Sequence, residues 1–179
     1  MKDSGGVRAL AARIFDAAHL TGEFTLRSGA TSTEYFDKYR FEAEPALLRD
    51  IAEAMAPLVG DQAEVLAGLE LGGVPIATML SQVTGLPAAF VRKEAKTYGT
   101  CRLAEGAAVE GRRVVVVEDV VTSGGQVLTS CAQLRERGAV VSRVLCVIDR
   151  EAGGAEALAA DGLELRALLA RSDLDPGRR

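Results

Sequence analysis

Two adjacent acids and a run of small hydroxyl and glycine residues stand together in the second half of the chain. Four valines, Val114 to Val117, lead into Glu118 and Asp119, and the sequence continues Val120-Val121-Thr122-Ser123-Gly124-Gly125. Carboxylates at a strand end can accept hydrogen bonds from sugar hydroxyls, and the hydroxyls and N–H groups of a helix start favour a phosphate. The stretch therefore indicates a site for a phosphorylated pentose. An acidic strand end before an ordinary helix N-cap remains the alternative.

A second group of charged residues could serve the same ligand. Arg92, Lys93 and Lys96 place three cations within five residues, directly after the apolar segment 88–91. Cations that reach across a site can neutralise an anionic leaving group. A solvated surface loop is the alternative interpretation.

Alternating strand and helix patterns surround both groups. The unbroken valine run lacks polar alternation, as is typical of a central strand in a parallel sheet covered on both faces. We therefore predict an α/β fold with a largely parallel central sheet flanked by helices. The predicted helices cover residues 7–18, 45–58, 72–84, 126–137 and 155–160, and the predicted strands 65–69, 88–91, 114–117, 140–148 and 163–168. Two β-prone segments, 24–26 and 35–37, predict a small N-terminal hood.

Length and composition limit the class of protein. The 179 residues fit one domain over 1–179, with residues 20–42 contributing to the hood. A hydrophobic content of 48% excludes a mostly disordered chain, and the net charge of −4 opposes general nucleic-acid binding. We also expect no membrane partner, because no apolar run approaches the roughly 18 residues of a membrane-spanning helix.

Cysteine and histidine usage points to a cytoplasmic protein without a metal centre of its own. The three cysteines, Cys101, Cys131 and Cys146, are odd in number and widely spaced, which indicates reduced and buried thiols. The single histidine, His19, excludes any site that requires two imidazoles. The N-terminus lacks the apolar core of a signal peptide. The glycine-rich nucleotide motifs G-x-x-x-x-G-K-[ST] and G-x-G-x-x-G are also missing.

The stretch from Val114 to Gly125 resembles the phosphoribosyl diphosphate signature of the type I phosphoribosyltransferases. The resemblance implies that Glu118 and Asp119 contact the ribose 2- and 3-hydroxyls. It also implies a Mg²⁺ cofactor, held mainly by substrate oxygens and water rather than by a protein metal site. The residues implied in cradling the 5-phosphate are Val120, Val121, Thr122, Ser123, Gly124 and Gly125.

The cationic segment is similar to the Arg-Lys-x-x-Lys flexible loop of one branch of that family, the orotate phosphoribosyltransferases. By this resemblance Arg92, Lys93 and Lys96 bind the diphosphate, and Arg92 and Lys96 act with Asp119 as catalytic residues. Tyr98 stands where the family usually has a histidine, so one anion contact is altered. Because the family's loop serves in part the partner subunit's site, the resemblance also implies a homodimer with a shared active-site loop.

Three further segments resemble the same branch. Residues 22–29 match its Gly-x-Phe-x-Leu-Lys-Ser-Gly segment with an arginine in place of the lysine, and Asp149-Arg150-Glu151 matches an Asp-Arg-x-Glu segment whose arginine contacts the base. Tyr35 and Phe36 stand where the family has an aromatic pair near the pyrimidine, although they could be plain core aromatics and Arg150 a surface residue. The candidate orotate-binding residues are Arg27, Tyr35, Phe36, Thr122 and Arg150.

The segment Gly68-Leu69-Glu70-Leu71-Gly72-Gly73 stands in the place of the family's diphosphate-binding loop but lacks its lysine. The N–H groups of Leu71, Gly72 and Gly73 are the candidate diphosphate contacts. Glu70 would repel an anion unless a metal or a cation intervenes. A plain strand-to-helix turn is the alternative.

The activity implied by these resemblances is transfer of the 5-phosphoribosyl group from phosphoribosyl diphosphate to orotate, giving orotidine 5′-phosphate and diphosphate in pyrimidine nucleotide synthesis. Two alternatives stay open. The acceptor could be a purine or another base, because Tyr98, Glu70 and Arg27 depart from the orotate pattern. The chain could also be a regulatory protein that senses phosphoribosyl diphosphate without catalysis.

Overall fold

The computed structural model describes residues 4–25, 29–93 and 103–174. Helices and strands alternate along most of this chain. In chain order they are helix α1 (Ser4–Ala18), strands β1 (His19–Thr25) and β2 (Thr31–Phe36), helices α2 (Lys38–Ala43) and α3 (Pro45–Val59), strand β3 (Val65–Leu69), helix α4 (Gly73–Thr84), strands β4 (Ala88–Val91), β5 (Ala104–Gly106) and β6 (Arg113–Val121), helix α5 (Gly125–Glu136), strand β7 (Val140–Asp149), helix α6 (Gly154–Ala160), strand β8 (Glu164–Ala170) and a 3₁₀ turn (Arg171–Leu174).

A six-stranded sheet with the order β5-β4-β3-β6-β7-β8 forms the centre of the molecule. Neighbouring strands from β4 to β8 in this order are parallel, and only β5 runs antiparallel to its neighbour β4. This confirms the predicted α/β fold with a largely parallel sheet. Because β3, β6 and β7 are adjacent and parallel, their carboxyl ends meet at one edge, which we call the carboxyl edge.

Both faces of the sheet are covered by apolar side chains. Along β6, Val115 and Val117 belong to the buried cluster that includes α1, α3 and α4, while Val114 and Val116 belong to the cluster that includes α5 and α6. All four valines are buried. The double covering explains why this strand shows no polar alternation.

The N-terminal hood is an antiparallel hairpin of β1 and β2. Of the β-prone segments predicted there, residues 24–25 and 35–36 lie in strands, whereas Leu26 lies outside the described residues and Asp37 is not part of the second strand. Its carboxylate instead accepts the N–H of Tyr39 at 3.2 Å and caps α2. Neither α2 nor β5 is predicted from the sequence, because elements of six and three residues are too short for a periodic pattern.

Other predictions concern cysteines, membranes and domain extent. Cys131 and Cys146 are buried free thiols, as predicted, and burial raises the pKa of Cys131 to about 12. Cys101 lies outside the described residues.

No helix in the described ranges is long and apolar enough to cross a membrane. The single domain over 1–179 and the hood over 20–42 stay predictions.

Candidate active site

The acid pair lies near the end of β6, and its two carboxylates have different surroundings. Asp119 has no solvent exposure, and its Oδ1 accepts the N–H of Val120 at 2.5 Å. Its Oδ2 forms an ion pair with Lys38, whose Nζ lies 2.5 Å away. The Glu118 carboxylate is half-buried and accepts the N–H of Asp119 at 3.0 Å. The chain backbone and a cation from α2 therefore orient Asp119.

Helix α2 presents two charged residues to Asp119. Lys38 and Glu42 are four residues apart and so share one face of the helix. Burial opposes the charge of Lys38, but the hydrogen bond to Asp119 and the charge of Asp119 outweigh it and raise the lysine pKa. Burial, followed by the nearby Asp119, raises the pKa of Glu42 to about 8 and that of Glu118 to about 9. At neutral pH the two glutamic acids therefore carry protons, which limits the negative charge in this cluster.

Sequence reasoning missed Lys38 and Glu42 as members of the site. One signal was present: Asp37 is a favourable N-cap residue that immediately precedes Lys38. That signal would have predicted a helix start, but the contact with the distant strand β6 appears only in the folded chain.

The turn between β3 and α4 packs directly against the acid pair. A Cβ atom at Gly72 would collide with the Asp119 carboxylate, and one at Gly73 would collide with the carbonyl oxygen of Val117. Leu71 is exposed, and the peptide bond that precedes it is cis. The turn predicted to bind diphosphate is thus adjacent to the acids predicted to bind ribose.

Glu70 lies at the start of this turn, where its charge was expected to oppose an anion. In the structure its Oε2 accepts the backbone N–H of Lys93 at 3.0 Å. Its own N–H donates to the carbonyl of Val91 at 2.8 Å. Glu70 therefore links the turn to the end of β4, and its carboxylate is oriented by a donor in the cationic segment.

Only the first part of that segment is described. The N–H of Arg92 donates to the carbonyl of Leu103 at 2.9 Å, and its buried Nε has no hydrogen-bond partner among the described residues. Arg92 and Lys93 follow β4 and thus lie beside the carboxyl edge. Lys96 and Tyr98 fall outside the described residues.

The loop between β6 and α5 has the geometry of an anion cradle. Thr122 and Ser123 are exposed. Gly124 adopts a φ of 78° as the N-cap of α5, and a Cβ there would lie 3.3 Å from the carbonyl oxygen of Gly154, so both conformation and space favour glycine. The first N–H groups of a helix have no intrahelical partner, and Gly125 opens α5 with open space around it. Hydroxyls and N–H donors are thus concentrated at one point.

Of the residues predicted to bind orotate, Phe36 and Arg150 line a common cavity of about 720 Å³. His19 and Glu34 of the hood also line it. Tyr35 does not, because successive residues of a strand face opposite sides. Its exposed ring lies 5.5 Å from that of Phe24, measured between centroids. The predicted aromatic pair is therefore divided between the two faces of the hood, and Arg27 lies outside the described residues.

Arg150 is tied by its backbone to the loop between β6 and α5. Its N–H donates to the carbonyl of Val121 at 2.9 Å. The flanking carboxylates have local partners: Asp149 Oδ1 accepts the N–H of Glu151 at 2.9 Å, and Glu151 Oε2 accepts the N–H of Ser172 at 3.0 Å. Glu151 has a φ of 54°, which these contacts hold in place. The arginine position is therefore fixed relative to the loop.

A protein-held metal centre is not found in residues 4–25, 29–93 and 103–174, where no cluster of three or more histidine, cysteine, aspartate or glutamate residues could hold an ion. The acid pair offers two carboxylates, one already paired with Lys38. Mg²⁺ prefers oxygen ligands and usually keeps several waters. The carboxylate oxygens of Glu118 and Asp119 are thus of the ligand type that suits an ion also bound to substrate oxygens and water.

Comparisons with known proteins agree with this geometry. The phosphoribosyl transferase domain family matches residues 39–162. The chain is 56% identical over 169 residues to the orotate phosphoribosyltransferase of a Nocardioides species, which covers 94% of each chain. It resembles the Mycobacterium tuberculosis orotate phosphoribosyltransferase in complex with inorganic phosphate, with 33% identity, a TM-score of 0.85 and coverage of 96% of this chain and 99% of that chain.

The same mycobacterial enzyme in complex with 5-phospho-α-D-ribosyl 1-diphosphate gives 34% identity and a TM-score of 0.81, over 94% of this chain and 98% of that chain. The match to the family extends over most of the chain and includes both the acid pair and the phosphate-binding loop. These likenesses confirm the resemblance seen in the sequence motifs. The chain belongs to the phosphoribosyltransferase family, in its orotate phosphoribosyltransferase branch.

Proposed function

We propose that this protein transfers the 5-phosphoribosyl group from phosphoribosyl diphosphate to orotate, forming orotidine 5′-phosphate and diphosphate in pyrimidine nucleotide synthesis. The observation that carries the proposal is the meeting of three elements at the carboxyl edge: the acid pair, the Gly72 turn and the loop that opens α5. The named activity of relatives up to 56% identical supports orotate as the acceptor.

Each element is assigned one part of phosphoribosyl diphosphate. Glu118 and Asp119 accept the ribose 2- and 3-hydroxyls. The loop from Val120 to Gly125 takes the 5-phosphate on its backbone N–H groups and on the hydroxyls of Thr122 and Ser123. The N–H groups of Leu71, Gly72 and Gly73 take the diphosphate. The contact between Gly72 and Asp119 supports this order, because it sets the diphosphate turn beside the ribose acids.

The reaction breaks the bond between the anomeric carbon and the diphosphate oxygen, whose electron pair leaves with diphosphate. A bond forms between the same carbon and N1 of orotate, the N1–H bond breaks, and its proton is taken up by the departing diphosphate or by water. Positive charge develops on the ribose and negative charge on the leaving group, so catalysis requires positioning and electrostatic stabilisation rather than a covalent intermediate. Asp119 holds the ribose, while Arg92 and Lys96, with Lys93 and Tyr98 as further contacts, stabilise the departing diphosphate.

Orotate binding is assigned to the cavity that contains Phe36 and Arg150. A pyrimidine ring can pack on the phenyl ring, and the guanidinium can pair with the orotate carboxylate. The backbone bond from Arg150 to Val121 keeps this arginine close to the phosphate-binding loop. Arg27, Tyr35 and Thr122 remain further candidates for orotate contact.

Cofactor, assembly and location complete the proposal. Mg²⁺ would be held mainly by substrate oxygens and water, near Glu118 and Asp119, and would supply positive charge that compensates part of the diphosphate charge. The protein acts as a homodimer in which the cationic segment serves a shared site. It acts in the cytoplasm, a location supported by the free buried thiols of Cys131 and Cys146.

The proposed activity is tested by supplying the purified protein with phosphoribosyl diphosphate, Mg²⁺ and single free bases. We expect orotidine 5′-phosphate and diphosphate to form with orotate and no nucleotide to form with adenine, guanine, hypoxanthine or uracil. Product identity by mass spectrometry is the measurement. Turnover of a purine in place of orotate, or binding of phosphoribosyl diphosphate without any product, would replace this function with one of the two alternatives.

The base site is tested by Arg150→Ala. Loss of a charged hydrogen bond should raise the KM for orotate about 10- to 100-fold, with a much smaller change in the KM for phosphoribosyl diphosphate. Initial rates with each substrate varied in turn measure both constants. Arg49→Ala is a matched control, because it removes the same charge from an exposed position on α3. Equal increases of both constants in the Arg150 variant would contradict the assignment.

A further inference from the structure

We propose that Lys38 is a positioning residue that holds the Asp119 carboxylate, charged and correctly aimed, for the ribose hydroxyls of phosphoribosyl diphosphate. The inference rests on the proposed function, because that function assigns Asp119 to the ribose. It adds to the site a residue of the hood helix α2 that lies outside every motif recognised in the sequence.

The geometry of the ion pair carries the inference. Lys38 Nζ lies 2.5 Å from Asp119 Oδ2, and the lysine side chain keeps 35% of its surface exposed whereas the Asp119 side chain keeps none. The lysine therefore covers the carboxylate on the side of the solvent. A buried carboxylate without a cation is costly and tends to take up a proton. The lysine supplies the compensating charge at the atom that no backbone N–H reaches.

The two oxygens of Asp119 have separate partners, and this sets the direction of the carboxylate. Oδ1 accepts the N–H of Val120, and Oδ2 pairs with Lys38. A carboxylate oxygen has two acceptor sites, so Oδ2 can keep the lysine and accept a hydroxyl after a modest movement of the long lysine side chain. Because the carboxylate has no exposure, ribose can reach it only with such a movement.

The surrounding groups make this lysine difficult to replace. Glu118 on β6 and Glu42 on α2 both interact with Asp119, and Glu118 also acts on Lys38. Asp37 contributes to the raised pKa of Glu42, and Tyr39 contributes to the raised pKa of Lys38. The charge of Asp119 helps to raise the pKa of Cys146 on β7. The Gly72 turn also packs on Asp119, and its acid Glu70 is bound to the N–H of Lys93. Lys38 is a cation that acts on both Glu42 and Glu118.

The raised pKa values of Glu42 and Glu118 support the same view. Burial and the nearby Asp119 favour the neutral form of both acids, whose pKa values are raised to about 8 and about 9. The negative charge around Asp119 is thereby reduced, and Lys38 supplies the positive charge that pairs with it.

A purely structural role for Lys38 can be separated from a positioning role. Phe41, on the same helix, is fully buried in the main apolar cluster and provides the apolar anchor of α2. Asp37 caps the helix independently of Lys38. We therefore expect α2 to stay folded when the lysine charge is removed.

The experiment compares Lys38→Met with Lys38→Arg. Lys38→Met should raise the KM for phosphoribosyl diphosphate about tenfold or more and leave the KM for orotate unchanged. Lys38→Arg keeps the charge and should recover most of the affinity. Arg137→Met, which removes a positive charge at the far end of α5, should behave like the unaltered protein.

Should Lys38→Met fail to fold, Lys38→Gln keeps polarity without charge and is measured in its place. An unchanged KM for phosphoribosyl diphosphate would overturn the proposal. So would an equal rise of both KM values that Lys38→Arg does not reverse.

Calorimetric titration with phosphoribosyl diphosphate and Mg²⁺ alone separates this inference from the proposed function. If the unaltered protein makes no orotidine 5′-phosphate, the function fails. The loss of phosphoribosyl diphosphate affinity in Lys38→Met, and its recovery in Lys38→Arg, still test the lysine by binding alone. If the unaltered protein makes the product but Lys38→Met binds phosphoribosyl diphosphate equally well, only the inference about Lys38 fails.

Discussion

Alanine in place of Gly72 is expected to lower kcat/KM for phosphoribosyl diphosphate by about a hundredfold or more, since small displacements of a positioning group have effects of this size. The added Cβ would overlap the carboxylate of Asp119 and lie 3.1 Å from its Cβ. Gly72 has a φ of −65° and a ψ of −31°, which alanine adopts readily. The effect therefore comes from collision with Asp119 and not from the backbone conformation.

A double-mutant cycle with Asp119→Ala tests that cause. In the Asp119→Ala background the carboxylate is gone, so Gly72→Ala should have only a small further effect on kcat/KM. Steady-state kinetics of the two single variants and the double variant give the coupling, and melting curves show whether each variant folds. If the free-energy losses of the two single variants add up to the loss of the double variant, Gly72→Ala acts through something other than Asp119.

Local sequence patterns were sufficient to predict the sheet and the loop between β6 and α5, whose role in phosphate binding stays a prediction. The four buried valines, the acids after them and the Thr-Ser-Gly-Gly run are consecutive, so strand, turn and helix start could be identified within one short stretch. The loop geometry depends on Gly124, whose positive φ suits glycine best. Features of this kind are encoded by neighbouring residues and do not require knowledge of the tertiary fold.

The surroundings of the acid pair could not be predicted in the same way. Lys38 meets Asp119 because a six-residue helix of the hood packs on β6, a contact between distant parts of the chain. The collision that excludes a side chain at Gly72 also joins two separate motifs. Burial of Asp119 follows from both contacts, whereas the sequence alone indicated only that it stands near a strand end.

Individual side chains differ from their sequence-based assignments for equally physical reasons. Strand alternation in the hood places Phe36 at the cavity with Arg150 and turns Tyr35 to the other face, although the two are adjacent in sequence. Glu70 was expected to be an obstacle to an anion. Its hydrogen bond with the N–H of Lys93 gives it a role in joining the diphosphate turn to the cationic segment.

Lys96→Ala is expected to lower kcat about 10²- to 10³-fold, as is typical when one group that stabilises developing charge is removed. Diphosphate departs with several negative charges, and the proposed function assigns Lys96 to them in the transition state. The described residues on either side of the stretch that contains Lys96 are close together, because the N–H of Arg92 donates to the Leu103 carbonyl. This placement brings the start of the segment to the carboxyl edge, close to the Glu70 contact.

Kinetics and melting curves measured together distinguish a catalytic from a structural effect of Lys96. The melting temperature of Lys96→Ala should match that of the unaltered protein, because folding stability rests on the two buried apolar clusters that cover the sheet. Arg137→Ala serves as a control for the loss of one positive charge, since this exposed residue lies at the opposite end of α5 from the phosphate-binding loop. Unchanged kcat in Lys96→Ala would remove this lysine from the mechanism and leave Arg92 as the principal cation facing the leaving group.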